Sequence, residues 1–309
     1  MSITVKEIEF ENFGKCVEIS NGKVDVAITK EIGPRIIRVG LVGKENVMFN
    51  DINRENITED ELIEKHYGKG AKWTNYGGHR LWVSPESMPE TYFPDDVAVD
   101  VKLLKNGALF TQQEQTMNGV ACSYSVEMSE DGEITVTHFV KNISNSEKRL
   151  SPWSITVLNK GGLEIIPQNT LDTDLLPNRR IVAWPYTNLA DPRLYLGEKY
   201  VTLRQDENVD ASFKLGLDLH AGTAIYAYKD TVFVKKYEHK QDAEYDDFGV
   251  SFETYTNSQI LEMETIGTVH YLKPNETATH IEKWSVFENV GTPDAKCEAE
   301  IDDFVKKYL

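Results

Sequence analysis

The chain has 309 residues, 40% hydrophobic and 27% charged, a balance that fits a globular protein and excludes a disordered one. A formal charge of −17 removes the positive field that nucleic acid or an anionic membrane would need as a partner. Cys16, Cys122 and Cys297 form no CxxC pair, no apolar run approaches the roughly 20 residues of a membrane span, and the start MSITVKEIEFENF is acidic where a signal peptide is basic; a cytoplasmic protein is expected.

In chain order, residues 24–30 (VDVAITK) alternate apolar and polar as a strand does. Residues 57–68 predict one short helix, with Thr58 as N-cap and Glu61 completing a capping box. Residues 95–142 carry Asn106-Gly107, Asn118-Gly119 and Asp131-Gly132 between β-rich runs. These pairs predict type I′ turns and a four-stranded antiparallel meander. Further strands are predicted at 223–229, 231–236, 260–265 and 279–286, and a terminal helix at 294–309 capped by Asp294. No linker, repeat or low-complexity tract interrupts residues 1–309, so a single, nearly all-β domain with one or two short helices is expected. Residues 51–78 and 167–198 are the least strand-like and read as insertions that carry binding loops.

The segment 75–86 (NYGGHRLWVSPE) concentrates unusual chemistry. His79 offers a proton-shuttling imidazole, Arg80 a forked donor, and Trp82 a flat face on which a sugar stacks. The same residues also fit a structural turn with a packed Trp. In ILEMET (260–265), period-two geometry puts Glu262 and Glu264 on one face, roughly 7 Å apart. Such crowding raises one carboxyl pKa and leaves the other group ionised, as acid–base work requires, although an edge strand's polar face gives the same pattern. His280, Glu282 and Trp284 share a face of the next strand, and pairing with 260–265 would gather a Glu–Glu–His–Trp cluster on one surface. Trp153, Asp218 and His220 are further candidates for a binding site. One of Lys235 and Lys236 is expected to point inward, and His138 reads as a core histidine. HExxH, Walker, GxGxxG, GxSxG and zinc-type spacings are absent, so neither a metal nor a cofactor is implied.

Taken together, residues 19–49, NYGGHRLWVSPE, 137–162 (THFVKNISNSEKRLSPWSITVLNKGG) and 253–287 (ETYTNSQILEMETIGTVHYLKPNETATHIEKWSVF) resemble the galactose-mutarotase-like supersandwich family. The resemblance implies an antiparallel β-supersandwich with a groove for a small carbohydrate and aldose 1-epimerase-like isomerase chemistry. Met263-Glu264-Thr265 matches the family's glutamate run, which makes Glu264 the implied base and Glu262 its neighbour. Trp153 stands where the family's proton-donating histidine would be, and Tyr76 precedes the glycine pair in place of another. His79 or His280 is then the candidate acid, and Arg80, Trp82, Trp153, Asp218, His280 and Trp284 are the candidate sugar contacts. A non-catalytic carbohydrate-binding protein is the alternative, with hydrolase or lyase chemistry by Glu262 and Glu264 a third.

Overall fold

The computed structural model describes residues 2–309. The meander forms as predicted. Its strands are Asp100–Leu104, Gly107–Thr111, Val120–Met128 and Ile134–Asn142, each antiparallel to the next. Its turns, however, are not type I′. That type needs positive φ at both central residues, and Asn106, Asn118 and Asp131 all lack it. Gly107 lacks it too and opens a strand; a Cβ there would lie 1.9 Å from the Val126 carbonyl oxygen. Close approach of two backbones is what demands that glycine.

Among the described residues, the strands build one ten-stranded and one eleven-stranded antiparallel sheet, with a separate two-stranded pair. In the first, the meander continues through Thr277–Glu288, Thr231–Tyr237 and Thr223–Tyr228. In the second, Gly78–Ser84, Lys148–Asn159, Ile260–Ile266, Phe252–Thr256 and Phe213–Leu217 lie side by side in that order. Each sheet takes strands from both halves of the chain, so no single cut divides them. Their facing sides share a core: Phe110, Tyr124, Val136 and Trp284 from one meet Ile28, Leu81, Leu158 and Met263 from the other. Each such side chain contributes about 1.5–3 kcal/mol through burial.

Thr277–Glu288 does not pair with Ile260–Ile266. After Ile266 the chain leaves that sheet's centre, and His270–Leu272 pairs with Lys148–Leu150 at the start of the long strand. Thr277–Glu288 then inserts between Ile134–Asn142 and Thr231–Tyr237 in the other sheet. The predicted Glu–Glu–His–Trp cluster therefore does not form.

Both helices are present but start differently from the prediction. The first spans Glu61–Tyr67, and its N-cap is Asp60, whose carboxylate accepts the Leu62 N–H at 2.7 Å. Thr58 pairs with Trp73 in a two-residue strand instead. The second spans Glu298–Val305 without a side-chain cap, while Asp294 accepts the Lys296 N–H. Among the described residues no helix is long and apolar enough to cross a membrane.

Candidate functional site

Period-two alternation along Ile260–Ile266 sends Leu261 and Met263 into the core and Ile260, Glu262 and Glu264 to the outer face of the eleven-stranded sheet. Strand register brings the neighbours into place. Ile155 lies between Arg80 and Glu264, while Glu264 and Glu262 face Glu253 and Tyr255 across the next pair. Lys214 stands one strand further on, opposite Tyr255. All of these outer-face residues except the fully buried Glu253 line a cleft of about 300 Å³ whose walls include Trp73, Trp82, Tyr92 and Tyr186. Asn56 and Asn75 come from one of the two least strand-like segments and Tyr186 from the other.

Two ion-paired clusters organise the floor. In the first, Trp153 Nε1 donates to Glu264 Oε2 at 2.9 Å, and Lys214 Nζ donates to the same oxygen at 3.0 Å. Lys214 also lies 2.7 Å from Glu253 Oε2 and 4.9 Å from the ring centroids of Trp153 and Trp184. Burial works against the Lys214 charge, yet Glu264 and Glu253 outweigh it and hold the ammonium above its ordinary pKa. Burial pushes the Glu253 carboxyl well above its usual range, against the pull of Lys214.

In the second cluster, both Arg80 Nη atoms donate to Glu262 Oε1, at 3.4 and 3.3 Å. The guanidinium lies 4.3 Å from the Trp82 ring centroid and 5.3 Å from that of Trp73. Burial raises the Glu262 pKa, Arg80 opposes the rise, and the neighbouring Glu264 adds to it. Three buried polar atoms at this cleft have no protein partner: Arg80 Nε, Trp73 Nε1 and Glu264 Oε1. Buried polar groups are rarely left unpaired, so these cleft-lining residues keep unused hydrogen-bonding capacity just beneath the surface.

Of the residues singled out in the sequence, Glu264, Glu262, Arg80, Trp82 and Trp153 converge here. His79, His280 and Trp284 do not. His79 is fully buried on the opposite face of its strand, with Nδ1 2.9 Å from Thr156 Oγ1 and Nε2 2.8 Å from His138 Nε2. Burial, reinforced by His138 and Lys235, holds its pKa well below 6.5. His280 meets Thr265 Oγ1 at 2.7 Å between the sheets, where burial lowers its pKa to about 3. Trp284 donates to Glu282, which also pairs with the fully buried Lys235 at 2.9 Å. Strand alternation is the physical reason: in an extended strand His79 must face away from Arg80, its immediate neighbour. Asp218 joins a separate cluster with His220 and His239.

Sequence reasoning missed Lys214, Glu253, Tyr255 and Trp73. The available signal was a lone charge inside a short strand: Lys214 between Phe213 and Leu215, and Glu253 beside Phe252. A second cleft of about 350 Å³ shares Trp82, but its Arg149 is committed to Glu244 and Asp246.

Two broad antiparallel sheets packed face to face, with an aromatic-walled, ion-paired cleft on the outer side of one, define a β-supersandwich. Solved structures place this fold among those of the galactose mutarotase-like proteins. A galactose mutarotase-like protein from Lactobacillus casei superposes with a TM-score of 0.58 at 12% identity, covering 88% of this chain and 100% of that one. One from Clostridium acetobutylicum gives 0.53 at 14% identity, covering 93% and 99%. A TPR-domain containing protein from Parabacteroides distasonis gives 0.56 at 12%, covering 90% of this chain and 48% of that one. No protein-family model and no curated protein matches the sequence.

Proposed function

We propose that the chain binds a carbohydrate of about monosaccharide size in the Arg80–Glu262–Glu264–Lys214 cleft. The observation that carries this reading is the pairing of aromatic walls with unpartnered polar atoms on the floor. A sugar ring offers apolar C–H faces to such walls and hydroxyls to such atoms. The cleft holds Trp73, Trp82 and Trp153, so intrinsic fluorescence reports occupancy. Titration with neutral aldoses and their 6-phosphates should give a saturable change for at least one sugar; a flat response to all of them contradicts the reading. The three cysteines are unpaired, which supports action in a reducing cytoplasm.

A second reading, anomeric epimerisation, is favoured by the free Glu264 Oε1 and by the raised pKa of Glu262. Glu264 would take the anomeric hydroxyl proton while Glu262, acting in its protonated form with Arg80 as a hydrogen-bond donor to its other lone pairs, gives one to the ring oxygen. The C1–O5 bond then breaks to an open-chain aldehyde, and closure on the other face returns both protons. Trp153 supplies no proton in this scheme, and neither His79 nor His280 reaches the cleft. NMR exchange on freshly dissolved aldoses tests it: anomers that equilibrate no faster than in buffer contradict catalysis while leaving binding intact.

A further inference from the structure

The chain folds Asp218, His220 and His239 together at a place the cleft does not use. Asp218 follows the Phe213–Leu217 strand, His220 lies in the turn closed by the Gly222 N–H to Leu219 carbonyl bond, and His239 follows Thr231–Tyr237. Both imidazoles direct Nε2 at the same carboxylate: His239 lies 2.7 Å from Asp218 Oδ1 and His220 3.4 Å from Oδ2. One donor atom from each of the three lies within 4.8 Å of the others. Donors held 2.0–2.1 Å from a tetrahedral ion are about 3.4 Å apart, so the cluster is within a side-chain adjustment of that spacing.

We propose that Asp218, His220 and His239 form a binding site for a divalent transition-metal ion of the zinc type. Two imidazoles and one carboxylate are the donor set of zinc and non-haem iron sites that keep open positions. His239 is held by its stack on Tyr245 at 5.4 Å and by burial of its side chain. His220 is the movable ligand: its side chain is 30% exposed, and its ring must swing out of its 21° stack with His239 to aim its lone pair at the ion. Arg180 pairs with Asp218 Oδ2 at 3.5 Å and is also held by the Gly249 carbonyl, so an ion at this carboxylate competes with that guanidinium. The buried trio His79, His138 and Glu282 also has metal-like spacing, but Lys235, Thr265 and Trp284 already occupy the Glu282 carboxylate.

The test is calorimetry with Zn²⁺ and visible absorption with Co²⁺, on protein carrying no histidine tag. The site predicts one saturable ion per chain and the d–d bands of a low-coordinate cobalt ion. His220→Ala and Asp218→Asn should each weaken binding at least about a hundredfold, since even the loss of an outer partner costs 10–100-fold. Unchanged circular dichroism shows that the variants fold. Absence of saturable binding overturns the proposal, and so does binding that survives both substitutions.

Discussion

The indole N–H of Trp153 donates to Glu264 Oε2 at 2.9 Å, beneath an ammonium that reaches the same oxygen from Lys214. The arrangement ties down one oxygen of the carboxylate and leaves the other, Oε1, without a protein partner. Trp153 is therefore a positioning group, and no proton-donating imidazole stands beside this glutamate.

Trp153→Phe keeps an aromatic ring and removes the donor. Losing a hydrogen bond to a buried charged group should cost about 1.5–3 kcal/mol of stability. Urea unfolding measures this, and a loss below a few tenths would mean the indole contributes packing alone.

Lys214 contacts two buried carboxyl groups at once, those of Glu253 and Glu264. Removing one partner of a buried ion pair leaves uncompensated charge, so Lys214→Met should destabilise the fold by about 3–5 kcal/mol. Double substitution with Glu264→Gln should recover part of that loss, which thermal unfolding of the three variants would reveal.

Trp82 packs its ring beneath the Arg80 guanidinium at the cleft. Trp82→Ala should weaken sugar affinity up to about tenfold, the scale of a lost aromatic contact. Calorimetric titration with the best sugar found by fluorescence provides the comparison.

Glu164 is fully buried, with Oε2 accepting from Thr254 Oγ1 at 2.6 Å and Oε1 unpaired. Burial pushes its pKa from 4.5 to about 8. Its folded-state pKa exceeds the unfolded one, so its stabilising effect is complete below pH 4.5 and lost as pH rises through 8. Glu164→Gln, neutral at every pH, should be more stable than the parent at pH 8, by a few kcal/mol at about 1.4 per pH unit, and show no such gain near pH 4.5. Melting temperatures measured across that window decide it; a pH-independent difference would show that Glu164 is ionised in the folded state.

The sequence reading and the structure agree where a single strand sets the outcome and part where tertiary pairing does. Glu262 and Glu264 share a face because period two requires it, and the meander forms because its strands are adjacent in sequence. The glycine pair before His79 hides its strand from the sequence; positive φ at Gly77 and Gly78 ends at once in an extended strand that turns His79 inward and Arg80 outward. Proximity in sequence suggests Ile260–Ile266 as the partner of Thr277–Glu288, but its partners are Ile134–Asn142 and Thr231–Tyr237, contacts no local pattern encodes. Lys214 reaches Glu264 from 50 residues away, and only the folded sheet puts them together.

Saturation-transfer NMR on a panel of aldoses tests the cleft most directly. The account predicts that the intact protein transfers magnetisation to the ring C–H protons of at least one sugar, and that Trp82→Ala greatly reduces the transfer. If no sugar receives saturation, or if the Trp82 variant transfers as well as its parent, the cleft does not hold a carbohydrate as described.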